Sequence, residues 1–249
     1  MRAWTGKDKG KGKGNDNRRE VEAMLLGRDG DGSALSAEEV VGNVYTTLVA
    51  SQDTTANSLA WTIYLLHTHP TAWYRLVEKA RHILADETVP RDLEQARSLT
   101  FAEACAQETM RLRPVAPVLF LEAVQDTQVG HVRVTKGTTV SCLMRRAAVD
   151  ETNVRDASEF RPVRWLAGDK SMETSCPKRV SMPFGAGPRL CPGRYLVMLE
   201  MNLVLGMLAR NFELLEIAAP NSAVPEEVLT FTAARSGHRS LVAGGLDGN

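Results

Sequence analysis

Residues 181–196 read "SMPFGAGPRLCPGRYL". Two glycines precede Cys191, a Pro-Gly pair follows it, and Arg189 stands two positions before it. An apolar pattern at helical spacing then runs from Pro192 to about Arg210. Proline at a first helical position is preorganised for the helix and sits where a backbone N–H has no partner anyway. The free N–H groups and positive end of such a helix favour a thiolate, the form of cysteine that attacks carbon or ligates metal. Gly185 and Gly187 leave room for something flat or bulky to approach. The stretch therefore sets the question of what Cys191 is placed to do.

Three chemistries meet obstacles elsewhere in the chain. A cysteine hydrolase needs a histidine base, and the chain has only five histidines, none in a recognisable partner motif. A structural zinc site needs about four ligands, and His67 and His69 supply at most two, facing apart at a helix end. A dinucleotide loop fails because "GAGPRL" puts Leu190 where a third glycine belongs. Two readings stand: a single axial thiolate to haem iron, which needs one protein sulfur, or a buried cysteine at a helix start.

Around this stretch the chain is ordinary in bulk. It has 249 residues, 43% of them hydrophobic, with 30 basic and 30 acidic side chains. The balance of charge gives no electrostatic reason to expect nucleic acid as a partner. No uninterrupted apolar run is long enough for a transmembrane segment, and the N-terminus lacks the apolar core of a secretory signal. Four cysteines without C-x-x-C spacing fit a reducing compartment, so the expected location is cytoplasmic.

Residues 1–20 contain "KDKGKGKGNDNRRE" and are expected to be a flexible basic tail, with ordered sequence beginning near Val21. "SAEE" at 36–39 is a capping box, and Val40, Val41, Val44, Leu48, Leu59, Ile63 and Leu66 follow at helical spacing. That helix should run to about His67, with a second from Pro70 to Leu84. Thr100 to Glu103 reads as another capping box, opening a helix that Pro114 stops. Strand patterns occupy 118–124 and a hairpin "HVRVTKGTTVSCLM" that turns at Lys136-Gly137. Residues 147–190 read as a long irregular segment. "FELLEI", "VLTFTA" and "HRSLVA" look like short strands near the C-terminus. No internal repeat appears. The expected class is mainly α with small β-sheets.

The stretch around Cys191 resembles the cysteine-ligand loop of the cytochrome P450 family, F-x-x-G-x-R-x-C-x-G. Phe184, Gly187, Arg189, Cys191 and Gly193 fill its fixed positions. The resemblance implies a P450-like fold in which Cys191 is the axial ligand of haem b (iron protoporphyrin IX). Phe184 and Gly185 would lie beside the sulfur, and Arg189 would pair with a haem propionate. Three E-x-x-R pairs occur, Glu78/Arg81, Glu94/Arg97 and Glu108/Arg111. "ETMRLRP" has the family's context, before Pro114 and about eighty residues ahead of the cysteine. Residues three apart share a helix face, and Arg164 of "FRPVRW" would complete a structural charged network with Glu108 and Arg111.

"ASQDTT", residues 50–55, is similar to the family's oxygen-binding motif A-G-x-[DE]-T-T. Thr54 back-bonding to Ala50 can open the helix locally. Asp53 and Thr54 would then relay protons, with Thr55 as a packing residue. Ser51 stands where the family has glycine. A polar run on an exposed face is the competing reading, and the apolar residues on both sides speak against it. The resemblance covers residues 21–249 as a haem-thiolate domain and matches the C-terminal portion of a typical member. It implies a monooxygenase acting with O2 on a hydrophobic small molecule, with electrons from a separate reductase or ferredoxin. Stretches near Tyr45–Leu48, Pro117–Leu121 and Leu229–Thr232 would meet the substrate. The alternative is a truncated haem-binding or structural remnant without coupled turnover.

Overall fold

The computed structural model describes residues 18–28, 32–166, 180–187, 190–217, 227–229, 233–235 and 241–245. Helices dominate them, and four two-stranded antiparallel sheets make up the rest. The expected mainly-α class with small sheets is what forms. α1 (Arg18–Leu26) begins within the last residues of the stretch read as a tail; residues 1–17 lie outside the described residues.

α2 runs from Ala37 to Thr68 and opens with the expected capping box. Ser36 Oγ accepts from the Glu39 N–H at 3.2 Å, and the Ser36 N–H donates to Glu39 Oε2 at 2.8 Å. Two backbone donors at the helix start are thereby satisfied. α3 (Pro70–Leu84) follows after one residue, with proline at its start as the sequence predicts. α4 (Leu93–Ser98) is short, and α5 (Thr100–Leu112) ends two residues before Pro114. Thr100–Glu103 is no capping box. Leu99 occupies the cap position, Thr100 is already helical, and Glu103 Oε1 instead accepts from Gln107 Nε2 at 2.8 Å.

The Lys136-Gly137 turn exists, with Gly137 at φ 83° and the Thr138 N–H donating to the Thr135 carbonyl at 3.1 Å. The strands it joins do not pair with each other, contrary to the expected hairpin. β3 (Val132–Val134) pairs with β2 (Thr127–Val129), while β4 (Thr139–Leu143) pairs with β1 (Val118–Glu122). Each strand pairs with one upstream of it, and alternation within a strand cannot say which neighbour that is. α6 (Met144–Ala148), several turns and a 3-10 turn (Pro162–Trp165) follow, in the segment read as irregular.

α7 (Arg194–Asn211) comes after the cysteine loop. β5 (Phe212–Ile217) pairs with β8 (Leu241–Gly245), where "FELLEI" and "HRSLVA" predict strands, but the single strand expected for "VLTFTA" is instead divided between β6 (Glu227–Leu229) and β7 (Ala233–Arg235), which pair with each other.

The core joins the second half of α2 to α3, α5 and α7 through Leu65, Leu66, Trp73, Leu76, Phe101, Cys105, Met201 and Leu205. Gly206 leaves room for the Leu99 side chain against α7, because a β-carbon there would lie 2.6 Å from Leu99 Cδ1. The apolar spacing from Val40 to Leu66 predicts one buried face, but only its C-terminal part is buried. Val40 is covered, whereas Val41, Val44, Tyr45 and Leu48 form an exposed stripe at i, i+3, i+4 and i+7.

Candidate haem-thiolate site

The loop before α7 is built from consecutive tight turns. The Gly185 N–H donates to the Met182 carbonyl at 2.9 Å, and the Leu190 N–H to the Gly187 carbonyl at 3.1 Å. Gly185 and Gly187 take φ of 73° and 67°, left-handed values that a side chain strains. A β-carbon at Gly187 would meet nothing within 4 Å, so its backbone conformation, not crowding by the described residues, is what requires glycine there. Cys191 closes the loop by donating its N–H to the Phe184 carbonyl at 2.9 Å. The backbone of Phe184 thus fixes the backbone of the cysteine.

Cys191 is half-buried and free of any disulfide. The helix start differs from expectation: Pro192 lies in a turn, Gly193 is the cap with φ −79°, and the first helical residue is Arg194. Proline's fixed φ suits the turn as well as a first helical position, so the dipeptide alone does not separate the two. The helix end still follows the sulfur within three residues. A β-carbon on Gly193 would sit 3.9 Å from Cys191 Sγ, so glycine keeps that flank of the sulfur open. Arg189 lies outside the described residues.

On α2, Thr54 Oγ1 donates to the Ala50 carbonyl at 2.9 Å, the expected back-bond. The helix remains continuous through this point. Ser51 Oγ uses its proton the same way, toward the Leu48 carbonyl at 3.0 Å. Ala50 and Asp53 are exposed, Thr54 is half-buried and Thr55 is buried, consistent with a packing role for Thr55. The apolar flanks predict that a polar run here is not on an exposed face; residues 50–53 are nevertheless exposed, as is the apolar stripe preceding them. α2 packs against α7 and against β7, which places the helix bearing this motif beside the helix that follows the cysteine.

Behind the loop lies a buried charged network. Arg111 clasps Glu108 with two bonds, Nε to Oε2 at 2.9 Å and Nη2 to Oε1 at 2.8 Å. Arg164 Nε adds a bond to Glu108 Oε1 at 2.9 Å. The side chains of Glu108 and Arg111 are fully buried, and that of Arg164 is nearly so. The sequence foresaw these three and missed two further donors to Glu108, the Arg161 N–H at 2.9 Å and Trp165 Nε1 at 2.8 Å. Further guanidinium protons go to carbonyls of the irregular segment. Arg111 reaches those of Ala148, Ala157 and Glu159, and Arg164 those of Arg155 and Asp156. Such extensive pairing is what a buried charge cluster requires. The other two E-x-x-R pairs lie on exposed surface.

A single thiolate is also the donor set that fits. Among the described residues no group of three or more His, Cys, Asp or Glu side chains could hold a metal ion. A haem with one protein sulfur requires no such group. Cys191, Phe184, Gly185 and Gly193 supply the open, half-exposed thiol on a fixed loop that this ligation needs.

The sequence profile described as "Cytochrome P450" matches residues 6–233. The rat mitochondrial 1,25-dihydroxyvitamin D(3) 24-hydroxylase is 33% identical over 227 residues, covering 89% of this chain and 43% of the rat protein. Cytochrome P450 27C1 of Danio rerio is 35% identical over 191 residues, covering 77% of this chain and 34% of that protein. A bifunctional cytochrome P450/NADPH–P450 reductase of Bacillus subtilis is 32% identical over 198 residues, which is 78% of this chain and 18% of the fusion. The chain spans about two fifths of the length of the vitamin D hydroxylases it matches.

Proposed function

Because this chain belongs to the cytochrome P450 family, we propose that it carries the haem-thiolate and oxygen-handling residues of a monooxygenase. The observation that carries this reading is the fixed cysteine loop, in which Cys191 is half-exposed, free, and held through its N–H by Phe184. When bound at Cys191, haem b supplies the reductive activation of O2 and the insertion of one oxygen atom into an organic substrate.

The chain's own residues supply holding and proton handling. Cys191 Sγ is the ligand, three residues ahead of the first helical residue of α7. Phe184 covers the loop side, and Gly193 leaves space beside the sulfur. Thr54 commits its proton to the Ala50 carbonyl, so its oxygen is left as an acceptor on the helix surface. The exposed Asp53 carboxyl next to it can take a proton from solvent and pass it on through a water that Thr54 Oγ1 holds by accepting its hydrogen bond. The exposed apolar groups Tyr45, Leu48, Phe120 and Leu121 suit a hydrophobic substrate. Residues 230–232 lie outside the described residues. Electrons come from a separate reductase or ferredoxin, and the chain works in the cytoplasm. Among the described residues no helix is long and apolar enough to cross a membrane.

The test is spectral. With haem and reductant, the CO complex should show the strongly red-shifted Soret band of thiolate-ligated haem, and Cys191→Ser should abolish it. An unchanged band in the variant removes the assignment.

A second reading has its own observation. The stripe Val41, Val44, Tyr45 and Leu48 is exposed on the same helix as Asp53 and Thr54. A site open along that side admits water, which favours release of peroxide over substrate oxidation. On this reading the chain by itself is a haem-binding remnant with little coupled turnover.

A further inference from the structure

Thr54 shares its face of α2 with the residues three and four positions away, Ala50, Ser51, Asn57 and Ser58. Ala50 has no polar side chain, and Asn57 is engaged in an interaction of its own. Ser58 is 2% exposed, and its Oγ donates to the Thr54 carbonyl at 2.9 Å, so it offers solvent no anchor. Ser51 differs from all three, because it carries a hydroxyl and is exposed. Its Oγ donates to the Leu48 carbonyl at 3.0 Å, much as Thr54 Oγ1 donates to the Ala50 carbonyl at 2.9 Å.

A hydroxyl has one proton to give. With both protons turned onto helix carbonyls, Ser51 and Thr54 present two acceptor oxygens about one turn apart. Side chains so spaced stand about 5–6 Å apart at their β-carbons. A water spans such a gap with two bonds of about 2.8 Å. It has two protons to donate, so it is the group that suits a pair of acceptors. Glycine, which the oxygen-binding motif of the family has at this position, would supply no oxygen.

We propose that Ser51 is a positioning residue that holds, together with Thr54, one water on α2 and keeps that water in exchange with solvent. This rests on the oxygen-handling role of Thr54. The water accepts a proton, from Asp53 or from a solvent water on the exposed Ser51 side, and gives up one of the two it already carries. Protons balance at the water, and neither hydroxyl proton leaves its carbonyl.

High-resolution crystal structures of the haem-free 249-residue chain and of Ser51→Ala and Ser51→Thr test the water directly. The parent and Ser51→Thr should show a water within about 3 Å of both hydroxyl oxygens, and Ser51→Ala should lose it. A parent without that water, or a water equally occupied in Ser51→Ala, overturns the proposal. In a preparation that turns over, Ser51→Ala should raise peroxide released per O2 several-fold, and Ser51→Thr should restore the parent's value. Alanine is the strongest helix former and glycine among the weakest, so Ser51→Gly separates the hydroxyl from helix rigidity. Equal uncoupling in Ser51→Ala and Ser51→Gly assigns the effect to the lost oxygen; uncoupling in Ser51→Gly alone overturns the role of Ser51. Thr54→Ala distinguishes the two levels. If it uncouples while Ser51→Ala does not, only the role of Ser51 falls; if it has no effect, the oxygen-handling role of Thr54 falls and takes that of Ser51 with it.

Discussion

Cys105 and Cys191 show how one residue type is put to opposite uses. Cys105 is fully buried in the core, and burial, reinforced by the neighbouring Glu108 charge, pushes its thiol far above its ordinary value of 9.0. A thiol so placed stays protonated and inert, whereas Cys191 is half-exposed at a helix start. Maleimide at pH 8 should therefore modify Cys191 and leave Cys105 untouched until denaturant is added; mass mapping of the labelled peptides checks this. The sign of the pH effect follows by linkage. Above pH 9 the unfolded chain loses the Cys105 proton and the folded chain keeps it, so the unfolded state binds fewer protons. Stability contributed by this thiol is full below pH 9 and should fall by up to about 1.4 kcal/mol per pH unit above it. Cys105→Ala should flatten that alkaline slope in urea melts between pH 8 and 10.5. On α2, Thr54→Ala removes the acceptor beside Asp53. In a preparation that turns over, it should still consume reductant and O2 but release more peroxide and less product. Coupling equal to the parent's would move the proton path elsewhere.

At the scale of elements, Glu108 and Arg111 on α5 hold the segment from Ala148 to Trp165. That segment has little regular structure beyond one 3-10 turn, so its carbonyls need partners from elsewhere. Arg111 and Arg164 provide them at five carbonyls. Arg111→Ala leaves Glu108 buried and short of its bidentate partner and orphans three carbonyls, a loss of roughly 3–5 kcal/mol. The expected result is loss of soluble, haem-competent protein, read as a lower melting temperature and lower haem occupancy. Arg81→Ala, on the exposed E-x-x-R pair, should change melting by no more than about 0.5 kcal/mol. The sequence shows why these pairs cannot be told apart by spacing alone. All three satisfy the i, i+3 rule, and only the position before Pro114 and the distant "FRPVRW" single one out.

For the whole molecule, the exposed stripe on α2 and the exposed Phe120 and Tyr195 leave apolar surface in water. Contiguous patches beyond a few hundred Å² bind partners or aggregate. The isolated chain should accordingly hold haem weakly, losing it on gel filtration, with little coupled monooxygenase activity. Adding the remaining portion of a family member, fused or in trans, should raise both haem retention and product yield. Haem kept through gel filtration with tight coupling by this chain alone would overturn that expectation.

Local chemistry determined much of this protein directly. The capping box at Ser36, the proline that starts α3, the glycines with positive φ before Cys191 and the back-bond of Thr54 are all satisfied within a few residues, so short stretches of sequence specify them. The five fixed positions around Cys191 likewise point to the family by themselves. Tertiary structure decided what depends on distant partners. Only the fold says that β4 pairs with β1 and not with β3, because alternation allows either neighbour. Only packing says that Val41, Val44, Tyr45 and Leu48 stay exposed while Leu65 and Leu66 are buried on the same helix. Trp165 and the Arg161 N–H reach Glu108 from more than fifty positions away. Hydrophobic periodicity names the face a helix can bury, but only a facing element buries it.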